Sequence, residues 1–306
     1  MFESIWSDIK QQFSYGNALT KIILVNIGVF VFVNLVRIIL MIVDGSAPPP
    51  SYEPFIHFFT ISSNGWHNLT HPWVFITHMF LHEGFWHIFW NMLLLYWFGR
   101  IVGDLLGDWR VLPIYLLSGL AGGLTYFIVA NIPTFWVFGS YALGASAAVM
   151  GTLAVAGMMA PDYILHLILI GPVRLKWVVL VLIFLDVVAL SWGSNSGGSI
   201  AHLGGAAMGF FIAAQLQRGN DLTRPVANWL SQLDAWLKSL RSGRRKPKVV
   251  FRNEKKSSAS RPGPARRHKT EDEQARLDAI LDKIKEQGYE SLTKEEKEFL
   301  FNASKK

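Results

Sequence analysis

The sequence has no cysteine among its 306 residues, so disulfide bonds, thiolate nucleophiles and cysteine-based metal sites are excluded. Charge is also scarce. Asp, Glu, Lys and Arg make up 17% of the chain, whereas they make up about a quarter of an average soluble domain. Hydrophobic residues make up 51%, and the mean hydropathy is positive. This balance predicts a membrane protein.

The few charges are unevenly placed. Residues 1–217 contain seven Lys or Arg and nine Asp or Glu, whereas residues 218–306 contain 22 and 13. A nearly neutral apolar body is thus followed by a tail of net charge +9. Such a tail suits the anionic cytoplasmic surface of a membrane. Nucleic-acid binding would fit the same charge, but the tail directly follows the apolar body. The lipid bilayer is therefore the expected partner, and nucleic acid is not.

Six segments are apolar over the roughly 20 residues that a spanning helix needs. Alternate connections, at 44–76, 131–144 and 192–198, have no Lys or Arg. By the positive-inside rule these three are extracytoplasmic. We expect an all-α, six-helix, multi-pass protein of the cell (inner) membrane with both termini in the cytoplasm. Arg37 lies inside the first span and is expected to snorkel to the outer interface. The predicted spans are about 19–43, 85–103, 110–130, 145–160, 174–192 and 199–217.

The rest of the chain is interpreted by composition. Residues 44–84, rich in proline and aromatics, are expected to form an interfacial loop. In the tail, Thr270 with Glu273 and Thr293 with Glu296 have the spacing of helix capping boxes. Gly288 is expected to end the first of two short helices. The predicted parts are a cytoplasmic segment 1–18, a six-span domain 19–217, an amphipathic surface helix 218–240, a basic disordered linker 241–269 and a helical hairpin 270–306.

Two polar residues begin predicted spans on the extracytoplasmic side, Ser146 on the fourth and His202 on the sixth. A serine hydroxyl becomes a nucleophile when a neighbouring imidazole takes its proton. A serine in a span more often only bonds a backbone carbonyl, whereas an intramembrane histidine is usually functional. Small residues, including Gly205 and Gly209, allow the two helices to approach closely. The pair predicts a serine nucleophile with a histidine base.

His87 and Asn91, four residues apart, lie on one face of the second span. Together with the backbone N–H of Ser146 they can stabilise an oxyanion. Alternatively, they are a polar pair that lines a water-filled cavity. A zinc-protease signature fails here, because His82 and His87 are five apart rather than four. His78 and His82 have metal-ligand spacing without a third ligand, so no metal or cofactor is expected.

With these motifs assembled, residues 70–215 resemble a bacterial rhomboid. The matching stretches are His78-x-x-x-His82-x-x-x-x-His87-x-x-x-Asn91, Gly144-x-Ser146 and Ala201-His202-x-x-Gly205-x-x-x-Gly209. The resemblance implies an intramembrane serine protease that cleaves transmembrane segments of membrane proteins. It implies a Ser146–His202 dyad without an aspartate, an oxyanion site at His87 and Asn91, and a tight turn at Gly144. His82, Gly144, Gly205 and Gly209 are the supporting residues.

The chain departs from the family pattern at three positions. Val74 stands where an arginine is common, Ala147 where a glycine is common, and Met150 where an aromatic commonly stacks on the histidine. We expect the geometry of the site to differ most at Met150. The rival prediction is a non-catalytic, rhomboid-like protein that binds client transmembrane helices. A transporter is disfavoured because carboxylates do not cluster at mid-membrane; the one carboxylate well inside a predicted span, Asp186, has no assigned role.

Overall fold

A computed structural model describes residues 17–132, 140–167, 170–192, 195–241 and 264–303. It divides into two compact units, Met1–Gly243 and Arg244–Lys306. Most of the predicted N-terminal segment 1–18 and most of the predicted linker 241–269 lie outside the described residues.

The first unit is helical. Helices α1 and α5 to α9 coincide with the six predicted spans to within three residues at either end. By length and composition alone, three regions of the described chain qualify as spans: Ala18–Asp44, Asp108–Ala130 and Ser196–Gln217. In chain order the helices are α1 (Ala18–Asp44), α2 (Tyr52–His57), α3 (Gly65–Thr70), α4 (Val74–Thr77), α5 (Phe85–Leu106), α6 (Val111–Ala130), α7 (Ser146–Met159), α8 (Leu175–Trp192), α9 (Ser196–Gln217) and α10 (Thr223–Arg241).

Helix α7 is the centre of the bundle, and every residue from 147 to 157 on it is buried. Its fourteen residues rise about 21 Å, less than the ~30 Å of a bilayer's hydrocarbon core. Glycines bring the backbones of α7 and α9 together. A Cβ at Gly205 would lie 2.0 Å from the Ala147 carbonyl oxygen, and one at Gly209 would lie 2.2 Å from that of Gly151. A residue larger than glycine would have no room for its side chain at either position.

Apolar side chains cover the outside of the bundle. On α1, Ile42 is 77% exposed, and on α8 Phe184 is 60% exposed. Water would disfavour so large an apolar exterior, whereas lipid tails would not. These surfaces are those of a helix bundle that faces lipid.

Residues 44–84 are more regular than the expected interfacial loop. They contain α2, α3 and α4, a 3-10 turn at His78–Phe80, and the short strand β1 (Ile61–Ser62). Asn64 caps α3 by accepting the N–H of Trp66 at 2.9 Å. The expectation of a loop missed these short helices, the first of which begins at Tyr52, soon after Pro48 to Pro50. Pro54 lies in the first turn of this helix, where its missing N–H costs nothing.

Two antiparallel strand pairs complete the unit. Strand β1 pairs with β2 (Tyr141–Ala142), with Ile61 opposite Ala142. Strands β3 (Ile164–Leu167) and β4 (Gly171–Arg174) pair between α7 and α8. The first pair joins the segment before α7 to residues 61–62, and so to the middle of the 44–84 segment.

The second unit consists of α11 (Pro264–Gln287) and α12 (Lys294–Ala303). The predicted start at Thr270 was wrong, because the helix begins six residues earlier at Pro264. Proline is favoured in the first turn, and the Ala-Arg-Arg that follows propagates a helix well. At α12 the capping box is present: the Thr293 N–H donates to Glu296 Oε2 at 2.8 Å, and the Glu296 N–H donates to Thr293 Oγ1 at 3.3 Å. Gly288, with φ of 78°, follows the last residue of α11 as predicted.

Candidate active site

Ser146 is the first residue of α7. The first N–H groups of a helix have no partner within it, and they carry the positive end of its dipole. The Ser146 N–H therefore points away from the helix beside its own hydroxyl. Two residues earlier, Gly144 has φ of 129°, a conformation that favours glycine.

A cavity of about 740 Å³ opens at this end of α7. It is lined by all four residues that the sequence placed in the chemistry: Ser146, His202, His87 and Asn91. They come from three helices, since Ser146 begins α7, His202 lies on α9, and the other two lie on α5. Among the hydrogen bonds of the described residues, none joins Ser146 to His202. Such bonds are often long before a substrate binds.

His87 and Ser146 converge at Gly144. A Cβ on Gly144 would lie 2.8 Å from His87 Nε2 and 3.5 Å from Ser146 Oγ. The imidazole therefore packs directly against the glycine backbone, on the side where the serine hydroxyl lies. Glycine is needed at 144 both for its positive φ and for the space that its missing Cβ leaves.

Asn91 is buried, one turn after His87. One N–H of its side chain donates to the His87 carbonyl oxygen at 2.8 Å. A carboxamide nitrogen carries two hydrogens. The second N–H is left for another acceptor in the cavity.

Two further histidines support the Gly144 turn. The Gly144 N–H donates to the carbonyl oxygen of His78 at 2.9 Å, and the Ala145 N–H donates to His82 Nε2 at 3.5 Å. Burial lowers the pKa of His82 from 6.5 to about 3, so its ring stays neutral and accepts this hydrogen bond. Within the described ranges, no three His, Asp or Glu side chains are grouped as metal ligands.

At each position that departs from the family pattern, the neighbouring residues accommodate the side chain that this chain has. A Cβ on Gly122 of α6 would lie 2.4 Å from the Ala147 methyl group, so the absence of a side chain at 122 leaves the methyl its space. Val74 is fully buried in a small cluster with Ile61 and Tyr126, where an arginine would have to bury its charge. Met150 is 6% exposed and belongs to the main core.

One residue beside the site was not among the site residues predicted from the sequence. Asp186 of α8 lies with its Oδ1 2.8 Å from His202 Nδ1. A signal for it was present, since an ionisable residue inside a span is a functional candidate by default. Asp186 meets His202 because its side of α8 faces α9, and that orientation is a property of the folded bundle.

A bundle of apolar helices around a buried, glycine-packed helix defines a polytopic membrane protein, and its cavity holds a serine and a histidine. The rhomboid domain model matches residues 69–219, just under half of the chain, and this part of the chain is a rhomboid domain. Residues 266–306 match a family of unknown function, which covers most of the second unit.

Curated rhomboid proteins are similar to a part of the chain of about the same length. "Rhomboid protein 1, mitochondrial" of Saccharomyces cerevisiae is 33% identical over 137 residues, covering 42% of this chain and 38% of its own length. "Rhomboid protease GluP" of Bacillus subtilis is 33% identical over 145 residues, covering 47% and 26%. "Putative rhomboid protease YdcA" of the same organism is 28% identical over 141 residues, covering 46% and 65%. The chain thus spans less than two thirds of the length of each of these relatives.

Proposed function

We propose that the chain is an intramembrane serine protease that cleaves transmembrane segments of other membrane proteins. Ser146 is the nucleophile and His202 the general base. The observation that carries the proposal is the cavity that Ser146, His202, His87 and Asn91 line together at the beginning of a buried helix. The two Bacillus subtilis relatives, which are named as proteases, support the same function.

In the proposed reaction, the Ser146 proton moves to His202 Nε2 as the oxygen forms a bond to the substrate's carbonyl carbon. The π electrons of the carbonyl pass to its oxygen, where the Ser146 N–H, His87 and Asn91 stabilise the negative charge. His202 then gives its proton to the leaving amine as the C–N bond breaks. A water molecule hydrolyses the acyl-enzyme by the same sequence of steps.

A substrate helix has to reach the cavity from the lipid and unwind, because a helix hides its carbonyls. We propose access past α5 and α8. On α5, Trp86 and Trp90 line the cavity and are 66% and 54% exposed, so this wall is formed by side chains that can rotate into lipid. Substrates with glycine, alanine, serine or proline near the scissile bond are the expected class. Glycine and proline in particular lower the cost of unwinding.

The test is cleavage of a model single-span substrate in liposomes by the wild-type protein, Ser146→Ala and His202→Ala. Both variants should lose cleavage while keeping the wild-type melting temperature. A variant that still cleaves at the wild-type rate would refute the assignment of its residue.

The alternative is a non-catalytic function in which the cavity binds client helices, and the presence of both Ser146 and His202 in the cavity disfavours it. Labelling with a fluorophosphonate probe separates the two functions, since the probe reacts with an activated serine. Labelling of the folded wild type but not of Ser146→Ala supports the protease. An unlabelled wild type supports the binding protein.

A further inference from the structure

Asp186 lies on α8, where the side chains next to it in the sequence face outward. Phe184, Leu185 and Val187 are 50% to 60% exposed on the apolar exterior of α8. The Asp186 side chain is 15% exposed and turned to the interior of the bundle. A charged group at this depth is costly and needs a partner that satisfies its oxygens.

The partner is His202. Its Nδ1 lies 2.8 Å from Asp186 Oδ1, and its side chain is 19% exposed. An ionised carboxylate only accepts hydrogen bonds, so Nδ1 carries the hydrogen in this pair. The lone pair of the neutral ring is then on Nε2. Because Asp186 holds Nδ1, Nε2 is the ring nitrogen left to take a proton from Ser146.

We propose that Asp186 is a positioning residue for the reaction. It fixes the tautomer and orientation of His202, and it stabilises the imidazolium that forms when Ser146 loses its proton. This inference rests on the proposed protease function. The proton moves only between Ser146 Oγ, His202 Nε2 and the leaving amine. A carboxylate in this position is known to act on a histidine base in this way in soluble serine proteases.

Other titratable groups share the cavity with this ring. His87 faces His202 from α5, and His57, Glu83 and Tyr141 also line the cavity. On α7 and α9, within the described ranges, the cavity residues other than His202 are not titratable near neutral pH. Asp186 is therefore the acidic group in direct contact with His202, and its removal should change the pH dependence of cleavage with a predictable sign.

The experiment compares wild type, Asp186→Asn, Asp186→Glu and the control Asp104→Asn, a carboxylate whose side chain is 74% exposed. Asparagine has the size of aspartate, so it can keep α8 and α9 together. It has no charge, and its amide N–H can stabilise the wrong tautomer of His202. Asp186→Asn should lower kcat by about 10²- to 10⁴-fold with little change in KM. The acidic limb of its pH–rate profile should move to lower pH, because the imidazolium has lost its counter-charge. Asp186→Glu should restore part of the rate, and Asp104→Asn should behave as wild type.

A second measurement does not depend on turnover. In ¹⁵N spectra of the folded protein, with the His202 signal assigned through its loss in His202→Ala, Nδ1 should be protonated in the wild type. In Asp186→Asn the two tautomers should exchange or reverse. An unchanged tautomer would overturn the proposal even if the variant were less active.

The outcomes separate this inference from the protease function. If Ser146→Ala is inactive but Asp186→Asn keeps wild-type kcat and pH profile, only the role of Asp186 is refuted. If Asp186→Asn and Asp186→Glu lose melting temperature and activity together, with an unshifted pH profile in the remaining activity, Asp186 is only a tie between α8 and α9. Cleavage by Ser146→Ala at the wild-type rate would refute Ser146 as the nucleophile, and with it the mechanism on which this inference rests.

Discussion

A single methyl group at Gly205 should disable the protein through geometry alone. The Cβ of Gly205→Ala would lie 2.0 Å from the Ala147 carbonyl oxygen, whereas ordinary contact begins at 3.4 Å. Helices α7 and α9 would have to separate by about 1.4 Å at this point, the difference between those two distances. Ala147 follows Ser146 directly, and Gly205 lies one turn from His202, so the separation would be transmitted to both reacting side chains.

The magnitude follows from two effects. Overpacking a well-packed contact costs about 1–3 kcal/mol of stability. A displacement of roughly 1 Å between reacting groups costs about 10²-fold in rate. Gly205→Ala should therefore melt below the wild type, and its kcat/KM per folded molecule should fall by at least about 10²-fold.

Gly28→Ala is the matched control. A Cβ at Gly28, in the middle of α1, meets nothing within 4 Å. Alanine should stabilise that helix by up to about 1 kcal/mol and leave cleavage unchanged. The assay is cleavage of a single-span substrate in liposomes, beside thermal unfolding of each variant. If Gly205→Ala cleaved like the wild type at an unchanged melting temperature, the close approach of α7 and α9 would not be what positions the site.

Two further predictions concern the oxyanion site and the helix after the bundle. Asn91→Ala should lower kcat by about 10²-fold with little change in KM, because an oxyanion donor acts mainly in the transition state; a change in KM alone would contradict this role. Helix α10 should lie on the membrane surface with Leu237 toward lipid, and the cysteine-free sequence allows single-site spin labelling to test it. A label at Leu237→Cys should be more accessible to oxygen dissolved in lipid than one at the opposite-facing control Ala235→Cys, and equal accessibility would refute the orientation.

The positions of the six long helices could be predicted from the sequence because hydropathy and segment length are properties of a continuous stretch. The grouping of Ser146 with His202 could be predicted because both begin their spans on the same predicted side. The helices within residues 44–84 could not. They are four to six residues long, and their contacts with the bundle, together with the Asn64 cap of α3, stabilise them more than their own composition does.

Most contacts between helices could not be predicted from the sequence either. The pairing of Asp186 with His202 depends on how α8 and α9 are rotated about their axes, and spacing within one helix does not give that rotation. The space for Ala147 lies on α6, at Gly122, far away in the sequence. Gly205 and Gly209 were predicted to allow close helix packing, and they lie where the backbones of α7 and α9 come together.

The strand pair at β1 and β2 has a mechanical consequence. The segment that leads into Ser146 is not a self-supporting turn. Ile61 and Ser62 hold it by strand pairing, and the His78 carbonyl holds it at Gly144. Lifting residues 61–62 away from the bundle would break the pairing with residues 141–142 and pull on the turn that sets the nucleophile. A molecule that binds residues 61–62 from the aqueous side would thus inhibit the reaction of Ser146 without contacting it.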